Sequence, residues 1–286
     1  MKGILRFVIL VMVLALVGAG SLAAQQQQQQ PPPPTKPPVG QIPGAAPPAP
    51  EPAPPSPEEL AAYKAFTDSQ AKKGKDVQNL IRLGEDFVKK YPESRFDSAV
   101  YAALAAAYQS QNRVNDMFAA GEKAIELNPD QVDALSLLAW AQPRVLDQND
   151  LALAQKLQKS ENYGRHCVEL LETMTKPEGI EEAEFTTSKS EKLSMCHSGL
   201  GIVLLYTDRL TDSAAELEKA TTLSLNPDPV DFYMLGRAYD LLKRFHDSVT
   251  AYEKCAEKQS GVQDACKQLL ANAKKQAATQ LAPPKP

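Results

Sequence analysis

The amino-acid sequence predicts an all-α fold built from stacked pairs of helices. Ala, Leu, Glu and Lys dominate residues 58–280, glycine is sparse there, and alternating β-branched residues are nearly absent. That composition is typical of helices. Two stretches also share one order of aromatic and small residues: Tyr101 to Tyr108 leading to Pro129, and Phe232 to Tyr239 leading to Cys255. A repeated helix–turn–helix unit accounts for both observations.

The spacing of Leu-Ala and Leu-Gly pairs defines the repeat. The step from Leu104 to Leu138 is 34 residues, and the step from Leu200 to Leu235 is 35. A period of this size is typical of helical solenoids, and the pattern resembles the tetratricopeptide repeat (TPR) family. The resemblance implies a right-handed α-α superhelix of about five helix pairs and a C-terminal capping helix. It also implies small residues where helices touch, which here are Ala105, Ala139, Gly201, Gly236, Ala124 and Ala220.

The predicted units span about 59–93, 98–131, 132 onwards, 194–228 and 229–262, and the capping helix covers 262–278. The third unit departs from the pattern, because Leu138 and Leu200 are 62 residues apart. Pro143 predicts an extended connection between its two helices, and residues 176–188 predict a polar loop or an irregular helix. Asp130 and Asp228 each follow a proline that ends a repeat, so we expect them to cap the next helix.

The two ends of the chain predict segments outside the fold. Residues 1–24 have the layout of a secretory signal peptide, with Lys2 and Arg6 before the apolar run from Phe7 to Val17. The alternative is an uncleaved membrane anchor, since the apolar stretch approaches the length of a membrane span. Residues 25–57 are predicted to be a disordered linker rich in Gln and Pro, and residues 281–286 a disordered tail.

The four cysteines recur at equivalent places in the repeats. Cys167 and Cys255 occupy the position of Ala124 in a second helix, and Cys196 and Cys266 lie in the helix that follows. In an exported protein this favours two disulfides, Cys167–Cys196 and Cys255–Cys266. Two alternatives remain, namely four small buried thiols in place of alanine, or a metal or redox site at Cys167 and Cys196. Adjacent His and Cys residues on a helix point about 100° apart, which disfavours zinc.

Charge and motifs exclude several classes of function. The net charge is −4, or −6 without Lys2 and Arg6, and no basic cluster with interleaved aromatic residues indicates nucleic acid. The histidines His166, His197 and His246 have no nucleophile or carboxylate at catalytic spacing. The sequence therefore predicts no enzyme activity and no cofactor.

The resemblance implies that a protein or peptide partner binds the concave face, which the first helix of each pair lines in TPR solenoids. The corresponding positions give a set of aromatic, apolar and basic residues as the predicted partner site: Trp140, Ile202, Tyr206, Tyr233, Met234 and Arg237. The alternative for Trp140 is burial under the irregular third unit. Arg237 alone does not make the basic clamp with which some TPR domains hold a terminal carboxylate.

These observations predict an exported interaction scaffold of the cell envelope, either periplasmic or extracellular. The alternative is a tether or assembly factor whose uncleaved N-terminal helix anchors it in the inner membrane. Contact with a membrane is expected only in that second case.

Overall fold

The computed structural model describes residues 54–72, 76–147 and 149–280, and every regular element among them is helical. The predicted signal peptide, most of the predicted linker and the predicted tail lie outside these residues. Eleven α-helices and one short 3-10 helix follow one another in the described part: α1 (Pro57–Gln70), α2 (Val77–Lys90), α3 (Asp97–Ser110), α4 (Val114–Leu127), α5 (Val132–Ala141), the 3-10 helix (Gln142–Arg144), α6 (Leu153–Thr173), α7 (Glu182–Tyr206), α8 (Leu210–Leu223), α9 (Pro229–Leu241), α10 (Phe245–Glu257) and α11 (Gln263–Gln280).

The helices form five consecutive pairs followed by α11, as the repeat register predicts. In each pair the first helix packs against the second, and the second packs against the first helix of the next pair. The first helices from α3 to α11 also touch one another in order, whereas the second helices do not touch one another within the described residues. The first helices therefore form one layer and the second helices form the other.

Three of the turns inside the pairs have the same geometry. Asn112, Asp208 and Lys243 each have a φ between 57° and 59°, and an arginine follows each of them. The amide of that arginine donates to a carbonyl five residues earlier, for example from Arg113 to Tyr108 at 2.9 Å. These bonds satisfy carbonyls that the end of a helix leaves without a partner. The second, fourth and fifth pairs therefore share the same backbone conformation in the turn between their helices.

Small residues lie at the helix crossings, and the structure uses them in two ways. In the fourth and fifth pairs the small residue is on the first helix: a methyl group on Gly201 would lie 2.5 Å from Leu217, and Gly236 faces Tyr252 in the same way. In the second and third pairs it is on the second helix, and Gly121 and Gly164 receive a leucine from the following first helix. Four alanines at predicted crossings are also fully buried: Ala105, Ala139, Ala124 and Ala220.

The third pair contains the irregular segment that the sequence predicts. Helix α5 ends at Ala141, and the 3-10 helix and a loop lead to Leu153, where α6 begins. The residues that follow α6 divide into a loop over 174–181 and a regular helix from Glu182. That helix continues without a break into the first helix of the fourth pair, so α7 is 25 residues long.

The structure brings the cysteines together in the two predicted pairs. Cys167 of α6 lies at disulfide distance from Cys196 of α7, with 6.2 Å between their Cα atoms. Cys255 of α10 and Cys266 of α11 form the second pair, with 5.9 Å between Cα atoms. Each pair joins a second helix to the helix that follows it.

Of the two expected caps, only Asp228 caps a helix. Its side chain accepts a hydrogen bond from the amide of Val230 at the start of α9. Asp130 instead lies 2.7 Å from a ring nitrogen of His166, and Gln131 precedes α5 without a side-chain cap.

None of the helices in the described residues is both long enough and apolar enough to span a membrane.

Candidate partner-binding surface

The structure distributes the six predicted partner residues between the core and the surface. Tyr206, Tyr233, Met234 and Arg237 are half-buried on α7 and α9, so parts of their side chains reach solvent. Ile202 is 0% exposed and packs in the core between α7 and α10, so its prediction as a partner contact is wrong. At Gly199, helix α7 approaches the backbone of α5 closely. The face of α7 that points toward the inner surface is therefore covered by α5 near Gly199.

Trp140 is neither fully accessible to a partner nor fully buried, so it fits neither of the two predictions made for it completely. One part of its side chain packs against the core formed by the first three pairs. The guanidinium carbon of Arg144 lies 4.5 Å from the centre of its ring, which is the geometry of a cation–π contact. Trp140 is therefore half-buried and covered by Arg144, and Leu137 beside it is buried.

The N-terminal part of α7 closes the inner surface of the second and third pairs. Ser188, Lys192 and Met195 face Ala102 and Ala106 of α3 across a cavity of about 30 Å³. A cavity of that size holds about one or two water molecules and no peptide. Inside this closure the ammonium of Lys192 lies 2.6 Å from Asp133 of α5, and both side chains are less than 15% exposed.

A buried polar cluster joins the third, fourth and fifth pairs. Arg144 donates to the Trp140 carbonyl at 2.7 Å, to the Ser198 hydroxyl at 2.7 Å and to the Asp231 carboxylate at 2.6 Å. The Ser198 hydroxyl also donates to Asp231 at 2.5 Å, and Asp228 lies 3.5 Å from Arg144. Burial raises the pKa of Asp231, and the charge of Arg144 opposes this effect. The sequence did not predict the cluster, since its members are up to 87 residues apart and the repeat pattern indicates Asp228 only as a helix cap and Trp140 only as a partner residue.

The accessible remainder of the inner surface lies on the C-terminal parts of α7 and α9. Leu205 and Tyr206 end α7 and pack against the same core as Met234 of α9. Tyr233 of α9 packs toward α10 and α11, and Arg237 lies against the Tyr233 ring. Leu241, one turn after Arg237, is 54% exposed. We call the five residues Tyr206, Tyr233, Met234, Arg237 and Leu241 the inner patch.

A second depression, of about 480 Å³, lies between α2, α3 and α4. Val88, Tyr101 and Ala119 give it an apolar floor. The charged groups at its rim are bound to one another, because Arg113 lies 2.7 Å from Asp116 and 3.9 Å from Glu85. Lys123, which also lines the depression, lies 2.9 Å from Glu126, so the charged groups at this rim already have partners.

The four cysteines and two of the three histidines, His166 and His197, are engaged with other protein groups. The cysteines lie in the two pairs described above, and His197 lies 2.5 Å from Glu216. Among the described residues there is no group of three or more His, Cys, Asp or Glu side chains arranged to hold a metal ion.

Comparison with known proteins identifies the repeat. The family model described as "Tetratricopeptide repeat" matches residues 232–257, which comprise nearly all of α9 and the whole of α10. The other four pairs and the cap continue the same stack of helices. The match therefore shows one tetratricopeptide repeat in this chain, over α9 and α10.

Two solved structures are also similar to the chain. A mutant of MamA is 16% identical, with a TM-score of 0.46, and the match covers 70% of this chain and 96% of that one. TTC0263, a thermophilic TPR protein in Thermus thermophilus, is 15% identical, with a TM-score of 0.39 and coverage of 76% and 99%. A search of curated proteins found no match.

Proposed function

We propose that this protein is a scaffold that binds a partner protein at the inner patch. The proposal rests on a difference in accessibility between the two parts of the inner surface. Helix α7 and Arg144 close the surface over the earlier pairs, whereas Tyr206, Tyr233, Met234 and Leu241 remain accessible. Tyr, Met and Arg are enriched in protein interfaces, and Tyr and Arg are enriched among the residues that contribute most of the binding energy.

Photo-crosslinking in native cells tests this function. A benzophenone amino acid replaces Tyr233 in one variant and Thr250 in another, because Thr250 is exposed on α10, in the other helix layer. We expect a discrete crosslinked species from position 233 that position 250 does not give. Equal crosslinking from both positions, or none from position 233, would contradict binding at the inner patch.

We also propose that the protein is exported to the cell envelope. The N-terminal pattern of residues 1–24 supports this, and so do the two cysteine pairs at disulfide distance, since disulfides persist in oxidising compartments. An anchored tether is the alternative, and the mass of the mature protein distinguishes the two. Export with cleavage gives a soluble protein that begins near residue 24, whereas an anchored form keeps Met1 or its neighbour and stays with the membranes.

A further inference from the structure

We propose that the inner patch binds an acidic segment of its partner, in which a carboxylate side chain stands beside an apolar side chain. Arg237 would bind the carboxylate, and Tyr206, Met234 and Leu241 would contact the apolar side chain. This inference rests on the proposed function and adds the chemistry of the partner to it.

Arg237 is a half-buried arginine without a carboxylate partner in the described part of the chain. Its guanidinium carbon lies 5.9 Å from the centre of the Tyr233 ring, one helical turn earlier. Asp240, the acidic residue one turn later on α9, makes no ion pair with Arg237: one of its oxygens accepts a hydrogen bond from the Tyr252 hydroxyl at 2.9 Å, and the other is buried without a partner. A charge that is partly withdrawn from water and has no counterion is a favourable place for an anionic ligand.

Three of the four other arginines that lie against aromatic rings also bind a carboxylate, and the fourth, Arg95, is exposed and binds none within the described residues. Arg113 covers Tyr108 and also binds Asp116, and Arg244 covers Tyr239 and also binds Asp247. Arg144 covers Trp140 and binds Asp231. In each of these cases an aromatic ring and a carboxylate share one guanidinium. At Arg237 the ring is present and the carboxylate is missing among the described residues.

The internal cluster also shows how such a carboxylate is presented. Asp231 reaches Arg144 from the first turn of α9, and the apolar residues Val230 and Phe232 are its neighbours in the chain. A partner segment with the same order of acidic and apolar residues could bind Arg237 and the apolar part of the inner patch together. Leu241, which is exposed one turn after Arg237, would contact the apolar side chain of such a segment.

A displayed library of random 12-residue peptides is the probe for this inference. The purified protein with its N-terminal linker is used as wild type, as Arg237→Gln and as Arg95→Gln. Arg95 is the matched control, because it also lies beside an aromatic ring, at 4.9 Å from Phe96, but outside the inner patch in the connection before α3. Thermal melting of each variant verifies that the fold is retained.

We expect the wild type to select peptides in which Asp or Glu lies within two residues of an apolar residue. Arg237→Gln should weaken binding of a selected peptide about tenfold or more, and Arg95→Gln less than about twofold. With Arg237→Glu, the selected peptides should contain Lys or Arg in place of Asp or Glu. Selected peptides without an acidic residue, or unaffected by Arg237→Gln, overturn the inference. If Tyr233→Ala still abolishes their binding, the scaffold function stands; if it does not, both proposals fail.

Discussion

Among the glycines of the described residues, Gly199 leaves the least room for a side chain. A Cβ atom at this position would lie 2.1 Å from the carbonyl oxygen of Ala139, which belongs to the backbone of α5. Backbone atoms cannot move aside without moving the helix, so glycine permits the approach of α5 and α7. This approach also explains why Ile202, one turn later, is buried instead of accessible.

We expect Gly199→Ala to lower the free energy of unfolding by about 3 kcal/mol, because the two helices must separate. Alanine favours a helix by about 1 kcal/mol over glycine, so the loss would oppose the intrinsic preference. Gly261→Ala is the control, since no atom lies within 4 Å of a Cβ built there. Urea unfolding compares the two variants. A neutral or stabilising effect of Gly199→Ala would show that α5 and α7 are not in contact at this point.

Glu161 gives the stability of the fold a dependence on pH that can be tested at one residue. Its carboxylate accepts hydrogen bonds from Arg209 at 2.5 and 2.8 Å and from Arg165 at 2.7 and 2.9 Å. The hydrogen bonds from Arg209 lower the pKa of Glu161 to about 2, with Arg165 contributing and partial burial acting in the opposite direction. An unfolded glutamate titrates near a pKa of about 4.3.

Because the pKa is lower in the folded state, the contribution of Glu161 to stability is present above about pH 4.3 and is lost as the pH falls toward 2. We expect Glu161→Gln to cost about 1 kcal/mol at pH 7, since Arg209 is more than a third exposed and water screens the pair. The difference between the variant and the wild type should shrink between about pH 5 and about pH 2.5. A difference that is independent of pH in urea unfolding would contradict this assignment.

At the scale of helices, the two cysteine pairs connect α6 to α7 and α10 to α11. Both span a contact between successive helices, and the sequence separations are 29 and 11 residues. The chain-entropy model gives a stabilisation of about 4 kcal/mol for the longer loop and about 3 kcal/mol for the shorter one. The longer loop contributes more because closing it removes more conformational entropy from the unfolded chain.

We therefore expect the double substitution of Cys167 and Cys196 by serine to lower the free energy of unfolding by about 4 kcal/mol. The same change at Cys255 and Cys266 should cost about 3 kcal/mol. Reductant added to the wild type should reproduce both losses together and should have no effect on a protein without cysteines. If reductant leaves the unfolding of the wild type unchanged, the thiols are not bonded in the native protein.

The helices also show what the sequence could predict and what it could not. The register of Leu104, Leu138, Leu200 and Leu235 predicted the pairs, and the equivalent places of the cysteines predicted their pairing, because both follow from a local period. The N-terminal part of α7 has no period, and Thr186 and Thr187 have low intrinsic helix propensity. The packing of Lys192 and Met195 on α3 and α5 provides the missing stabilisation, and a tertiary contact of this kind leaves no pattern in the sequence.

At the scale of the whole molecule, the Arg144 cluster changes how the stack should unfold. In a simple helical solenoid each repeat contacts only its neighbours, and the stability is a sum of nearest-neighbour terms. Here Arg144, at the end of the 3-10 helix that follows α5 in the third pair, binds Ser198 in the fourth pair and Asp231 in the fifth. The cluster therefore couples pairs that are not adjacent. We expect the C-terminal three pairs to unfold as one cooperative unit.

Substitution of Arg144 tests this coupling. Arg144→Met leaves Asp231 buried without its counterion, which should cost about 3 to 5 kcal/mol. Asp231→Asn removes the charge but keeps an acceptor for Ser198, and the two changes together should cost less than the sum of their separate effects. Hydrogen exchange measures where the loss appears: in Arg144→Met, amides of α5, α7 and α9 should all exchange faster, whereas α1 and α2 should be unchanged. Additive costs, or faster exchange confined to residues 142–144, would show that the cluster is a local contact, and the stack would then unfold pair by pair.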